Sequence, residues 1–213
     1  MTVTICWSVK GGTGTTVAVA ASALHARTPI TLIDLDGDLP AVLGINEPDG
    51  QGLTDWFAAT VPATAIADLA VSVADHVRLI PRGFGDLVHQ PPERWEAFGA
   101  WMQGSRADIL IDAGTGDPPT PLLDITPGAR RILVTRACYL SLRRATLSPV
   151  RPDGIVLIAE PGRRLRPADV ERSVGAPIVA TFSVDPAIAR AVDAGLMVAR
   201  LPRWSLTDVG HAS

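Results

Sequence analysis

The stretch Lys10-Gly11-Gly12-Thr13-Gly14-Thr15-Thr16 has the residue types and spacing of a phosphate cradle. Glycines let the backbone curl so that successive N–H groups point inward at phosphate oxygens, and a helix starting just beyond adds its positive end. Thr16, in the first turn of that helix, has a hydroxyl where such loops ligate Mg²⁺. Three aspartates follow apolar runs elsewhere: Asp34 and Asp36 close I-T-L-I-D-L-D, and Asp112 closes D-I-L-I-D. Carboxylates at strand ends can hold Mg²⁺ through its water shell or orient an attacking water. A glycine turn can also be purely structural, and a strand-end aspartate can simply cap the next turn. Two carboxylate-tipped strands aimed at one glycine loop favour the chemical reading. Of 19 basic residues, 18 are arginine, and the one lysine is Lys10 inside the loop. A slim point charge fits there where a planar guanidinium would not.

These groups need elements to position them. Val3 to Val9 reads as a β-run entering the loop, and Thr16 to His25 as the helix leaving it. Ile30 to Asp36, Val77 to Ile80, Asp108 to Asp112, Arg131 to Thr135, Ile155 to Ile158 and Pro177 to Phe182 read as six more strands, making seven. Helices are expected at Leu53 to Ala59, after Pro91-Pro92 with Trp95, Phe98 and Met102 on one face, and at Pro186 to Ala194. Short apolar strands alternating with helical stretches predict a single α/β domain over residues 1–213, with a mainly parallel sheet and helices on both faces. In such sheets ligands bind beyond the carboxyl ends of the strands, which is where the three aspartates would gather. The segments Ser148 to Asp153 and Pro161 to Pro167 read as surface loops.

Bulk properties agree with that class. The 213 residues are 47% hydrophobic and 19% charged, with a mean hydropathy of +0.24, as expected of a sheet covered on both faces. No apolar run approaches the ~20 residues of a membrane span. The N-terminus lacks the basic start and cleavage site of a signal peptide. Cys6 and Cys138, both in strand-like stretches, are expected as reduced, buried thiols. A cytoplasmic protein fits all of this. The net charge of -3 gives no overall attraction to nucleic acid or acidic membrane.

Val9 to Thr16 resembles the deviant Walker A loop of the ParA/MinD family of P-loop ATPases, normally K-G-G-x-G-K-[ST], with Lys10 matching the family's signature lysine. L-I-D-L-D-G-D-L-P-A-V-L-G-I resembles its next segment, where Asp36 would assist hydrolysis, and D-I-L-I-D-A-G-T-G its Walker B strand, with Asp112 on the metal side. I-L-V-T-R-A-C-Y-L-S-L-R-R-A and V-G-A-P-I-V-A-T-F-S-V-D-P-A-I-A-R-A-V-D-A-G are similar to later strand–helix units, so the likeness spans nearly the whole chain in order. The resemblance implies a P-loop NTPase fold and ATP with Mg²⁺ as cofactors. It implies nucleotide contacts from Lys10, Gly11, Gly12, Thr13, Gly14, Thr15 and Thr16, and metal contacts from Thr16, Asp36 and Asp112. Lys10 and Asp36 are the implied catalytic residues, Lys10 reaching across a nucleotide-dependent homodimer. An unidentified protein partner is also implied.

The departures are specific. Thr15 stands where the family has a second lysine touching the β- and γ-phosphates, and losing that contact costs ~1.5–3 kcal/mol, one to two decades of affinity. Hydrolysis should suffer further, because charge grows on the transferring oxygens. L-I-A-E-P-G lacks the family's adenine-side asparagine, and Ser183 replaces a proline.

Weaker features read blandly. Arg163, Arg164 and Arg166, with Arg143 and Arg144, form basic clusters for which a solvated face is favoured over non-specific DNA contact. The tail after Pro202, with Trp204, lacks a basic amphipathic helix, so direct membrane insertion is not expected. His25, His76, His89 and His211 show no metal-ligand spacing. Trp56 and Trp101 are expected in the core or at an interface. Three functions compete: an ATP-dependent dimeric switch that positions or partitions a cargo, with weak or no hydrolysis; an inactive pseudo-ATPase scaffold; and, remotely, a dinucleotide-binding oxidoreductase. The last draws on Gly12, Gly14 and Asp34 but meets Val17 where close helix–strand packing needs glycine or alanine.

Overall fold

The computed structural model describes residues 1–46, 51–87 and 89–200. Eight strands form one sheet: β1 (Val3–Ser8), β2 (Ile30–Asp34), β3 (Val71–Ala74), β4 (Val77–Ile80), β5 (Asp108–Thr115), β6 (Arg130–Arg136), β7 (Gly154–Ala159) and β8 (Ile178–Ser183). Their order is β3-β4-β2-β5-β1-β6-β7-β8, with every pairing parallel except β3 with β4. The mainly parallel α/β architecture is as the sequence predicts. Seven strands were expected and eight are found. The additional one, β3, is a four-residue edge strand that hairpins onto β4, too short and too half-buried to stand out as an apolar run. β2 stops at Asp34, so Asp36 lies in the turn beyond the strand, whereas β5 runs on to Thr115, so Asp112 lies inside its strand rather than closing it.

Nine helices are described: α1 (Thr15–His25), α2 (Leu39–Leu43), α3 (Leu53–Ala58), α4 (Pro92–Gln103), α5 (Thr120–Ile125), α6 (Tyr139–Leu147), α7 (Pro167–Val174), α8 (Pro186–Asp193) and α9 (Met197–Arg200), with a 3₁₀ turn at Ala63–Leu69. Alternation along each strand divides the core between the two faces. Cys6, Leu32, Ile132 and Val134 pack with α1 and α2, while Ile5, Ile33, Trp7 and Leu133 face α3 to α7 on the other side. The predicted α4 face is buried, with Trp95, Phe98 and Met102 at most 1% exposed. Trp56 is buried as expected, in edge and tilted contact with Phe57 and Phe98, and Trp101 stacks on Phe98. Arg94 lies over the Trp56 ring, 3.7 Å from its centroid.

Cys6 is buried in β1 as expected. Cys138 is not in a strand: it is the half-buried N-cap of α6, its Sγ 3.1 Å from Ser141 Oγ. Burial pushes the Cys138 thiol up, but the Ser141 hydrogen bonds and the Arg163 and Lys10 charges outweigh it and hold its pKa below the ordinary value. Among the described residues, no helix is long and apolar enough to cross a membrane. The tail from Pro202, with Trp204 and His211, lies outside them.

Candidate functional site

The glycine loop joins β1 to α1 at the carboxyl edge of the sheet. Gly12 and Gly14 have φ of 71° and 98°, conformations that side chains resist, and no atom stands within 4 Å of where a Cβ would be at Gly11, Gly12 or Gly14. The loop is braced from within: Thr13 Oγ1 donates to Lys10 O at 2.5 Å and Ser8 Oγ donates to the same carbonyl at 3.2 Å. Gly14 caps α1 without a side-chain hydrogen bond, and the first turn of this eleven-residue helix carries no acid. Its initial N–H groups and positive dipole end are therefore left for an anion.

Register brings the carboxylates to this edge. Asp34 of β2 and Asp112 of β5 are direct neighbours across two parallel strands, and Cys6 of β1 is Asp112's neighbour on the other side. Asp34 is fully buried and spent on structure: it accepts the Asp36, Gly37 and Leu39 N–H groups at 3.1, 2.7 and 3.1 Å, capping the turn after β2. Burial lifts its pKa to about 6 against the pull of those three bonds. Asp112 is different. Its Oδ1 accepts Gly114 N–H at 3.0 Å, while its Oδ2 is buried with no hydrogen-bond partner. Burial pushes its pKa to about 7, countered by the Thr16 hydroxyl and Gly114 N–H and reinforced by the Asp34 and Asp36 charges.

Asp36 is exposed, and its carboxyl is raised by burial of its inner side and by Asp38, against the pull of Arg82. Its carboxylate rests on Gly114, where a Cβ would stand 2.3 Å from Asp36 Cγ. Gly114 thus joins the two predicted metal-side carboxylates, giving its N–H to Asp112 and its bare Cα to Asp36. Asp34, Asp36, Asp38 and Arg82 line a cleft of about 200 Å³ on this flank.

Other predicted residues are placed less directly. Lys10 turns back on its own loop, its Nζ donating to Gly11 O at 3.3 Å. Thr15 is the first residue of α1 and is 6% exposed, so a short hydroxyl is buried where the resemblance implied an extended lysine.

Two residues that sequence reasoning left without a role stand beside the loop. Arg136, at the end of β6, donates from Nε to Thr13 O at 3.1 Å and from Nη1 to Glu160 Oε1 at 2.5 Å. Glu160, just after β7, also pairs with Arg163, and the two guanidiniums together outweigh the slight burial and hold its carboxyl below the usual range. Both lie just at or beyond a strand's carboxyl end, the same signal that singled out the aspartates. Arg136, Thr13 and Gly14 share a second cleft of about 300 Å³, floored by Val17, Ile158, Phe182, Ile188 and Val192.

These residues fit Mg²⁺ and a nucleotide. Asp112 Oδ2 is buried without a well-formed hydrogen bond among the described residues, the Thr16 hydroxyl stands close enough to act on the same carboxylate, and the loop offers uncapped N–H groups beside an apolar cleft. Among the described residues no three His, Cys, Asp or Glu side chains form a self-sufficient metal cage. A cation here would be held by Thr16 and Asp112 together with nucleotide and water oxygens.

A ParA family ATPase from Chlorobium tepidum TLS superposes with a TM-score of 0.73 at 21% identity, over 95% of this chain and 93% of that one. This chain has the ParA/MinD fold. MinD from Pyrococcus horikoshii OT3, complexed with Mg-ADP, superposes at 0.72 with 20% identity over 95% and 90% of the two chains. MinD in the Aquifex aeolicus MinC:MinD cell division complex gives 0.72 and 20% over 92% and 86%. No protein-family model matches the sequence. No curated protein matches it either.

Proposed function

We propose that this chain is a degenerate member of the ParA/MinD family: an ATP-binding, nucleotide-dependent dimeric switch that positions or partitions a cargo, with weak or no hydrolysis. The observation that carries it is the buried, partnerless Asp112 Oδ2 beside Thr16 at the foot of an uncapped helix N-terminus. The Mg-ADP bound by the Pyrococcus protein and the MinC bound by the Aquifex one support nucleotide and protein partners as the expected classes. DNA, a division site and a pilus or secretion machine are all cargoes compatible with the fold.

When bound, Mg·ATP supplies a transferable phosphoryl group and a cation that offsets its charge. The chain's own residues divide the remaining work. The backbone of Gly11 to Thr16 receives the phosphates, Thr16 and Asp112 hold the metal side, and Asp36 orients water from the turn beyond β2. Lys10, turned onto Gly11 O, makes no ion pair among the described residues and so keeps its charge for a partner's nucleotide. Thr15 adds no charge, so turnover is slow.

Calorimetric titration with ATP and Mg²⁺ tests binding, and the solution mass with and without Mg·ATP tests the switch. Doubling of the mass is expected, and no heat at millimolar nucleotide would defeat the proposal. The buried Thr15 favours one second reading, a pseudo-ATPase interaction scaffold, for which the mass would stay unchanged by nucleotide.

A further inference from the structure

Neither position that the loop offers for a cation grips phosphate in the ordinary way: Thr15 is neutral and buried, and Lys10 is folded onto Gly11 O. Arg136 reaches the loop from the neighbouring strand instead. Its Nε bond to Thr13 O ties it to the loop's outer wall, and Glu160 holds its other arm. Glu160 is shared with Arg163, so two guanidiniums face one carboxylate and the trio keeps a positive charge. Arg136 stays 28% exposed and lines the apolar cleft together with Thr13 and Gly14.

Position decides what that charge can do. β5 and β6 flank β1 on opposite sides. Asp112 and Asp36 therefore stand on one side of the loop, and Arg136 stands on the other, at the mouth of the cleft whose floor suits a flat apolar ring. We infer that Arg136 replaces the missing loop lysine as the phosphate-binding cation, gripping the phosphates nearest the nucleoside rather than the terminal one. This rests on the nucleotide-binding proposal. A charge so placed touches what di- and triphosphates have in common. The site then holds both alike, and discrimination between them falls to the carboxylate side alone.

Calorimetry with ADP, ATP and adenosine, on the full chain, tests this. The unaltered protein should bind ADP and ATP within about threefold of each other, and Arg136→Gln should weaken both about tenfold, the size of one charge-assisted contact, while leaving adenosine unchanged. Arg136→Lys keeps the charge and should stay within about threefold of the original, which separates charge from packing if Arg136→Gln folds poorly. No binding of any nucleotide by the unaltered protein would overturn the nucleotide proposal and this inference together. Measurable binding that Arg136→Gln leaves intact, or loses for ATP only, would overturn this inference alone, as would Arg136→Lys behaving like Arg136→Gln.

Discussion

The two flanks of the glycine loop are built on opposite electrostatic plans. Residues 1–129 carry fifteen carboxylates against six basic side chains, whereas residues 130–200 carry six against twelve. Sheet order puts β2 and β5 on one side of β1 and β6, β7 and β8 on the other, so a difference along the chain becomes a difference in space. The carboxylate flank buries charge: Asp34 and Asp112 are fully buried and both are pushed toward neutrality, Asp34 with three N–H partners and Asp112 with one oxygen unpaired. The arginine flank is half-buried rather than buried, and its charges pair in the trio of Arg136, Glu160 and Arg163, of which only Arg163 is well exposed.

Substitutions can break the comparison, beginning with the carboxylate flank. Gly114→Ala combines an unfavourable positive φ with a Cβ driven into the Asp36 carboxylate, and should lower stability by about 3 kcal/mol in a denaturant titration. Thr15→Lys should raise ATP affinity about ten- to a hundredfold in calorimetry, equivalent to ~1.5–3 kcal/mol. Unchanged affinity would refute the account of that position.

Asp112→Asn should stabilise the metal-free protein by about 2 kcal/mol at pH 8, part of the gain being offset by a new buried amide. Because the folded pKa of about 7 lies above the unfolded carboxyl value of 3.8, the folded state binds the extra proton between those limits. Stability of the unaltered protein should therefore fall as pH rises from about 4 to 7, and Asp112→Asn should flatten that slope in melting curves. On the arginine flank, Glu160→Gln should change stability by less than about 1 kcal/mol, and by less still at high salt, since none of the three side chains is fully buried and the amide can still hydrogen-bond both guanidiniums. A larger effect at Glu160 than at Gly114 would reverse the contrast between the flanks.

Much of the carboxylate flank was legible in the sequence. Apolar runs ending in aspartate mark parallel strands, and parallel strands carry their ends to one edge, so Asp34, Asp36 and Asp112 could be gathered at the loop before any coordinate was known. Their separate roles could not. Asp34 caps a turn and Asp112 leaves an oxygen orphaned because of which N–H groups the folded backbone happens to present. Arg136 escaped notice because the expected strand stopped at Thr135, one residue short of it, and one of eighteen arginines carries no signal of its own. β3 escaped because its pattern is half-polar and its pairing is made by a hairpin rather than by burial.

The sequence by itself determined the alternation of strand and helix, the place of the glycine loop between β1 and α1, and the burial of the α4 aromatic face. Each depends on local spacing, which the chain carries in one dimension. Only the tertiary structure decided that Gly114 joins two carboxylates, that Thr15 is buried, and that Arg136 crosses from β6 to the Thr13 carbonyl 123 positions away. Contacts between strands distant in sequence are fixed by register and by which atoms remain unpaired after packing, and those quantities exist only once the sheet has closed.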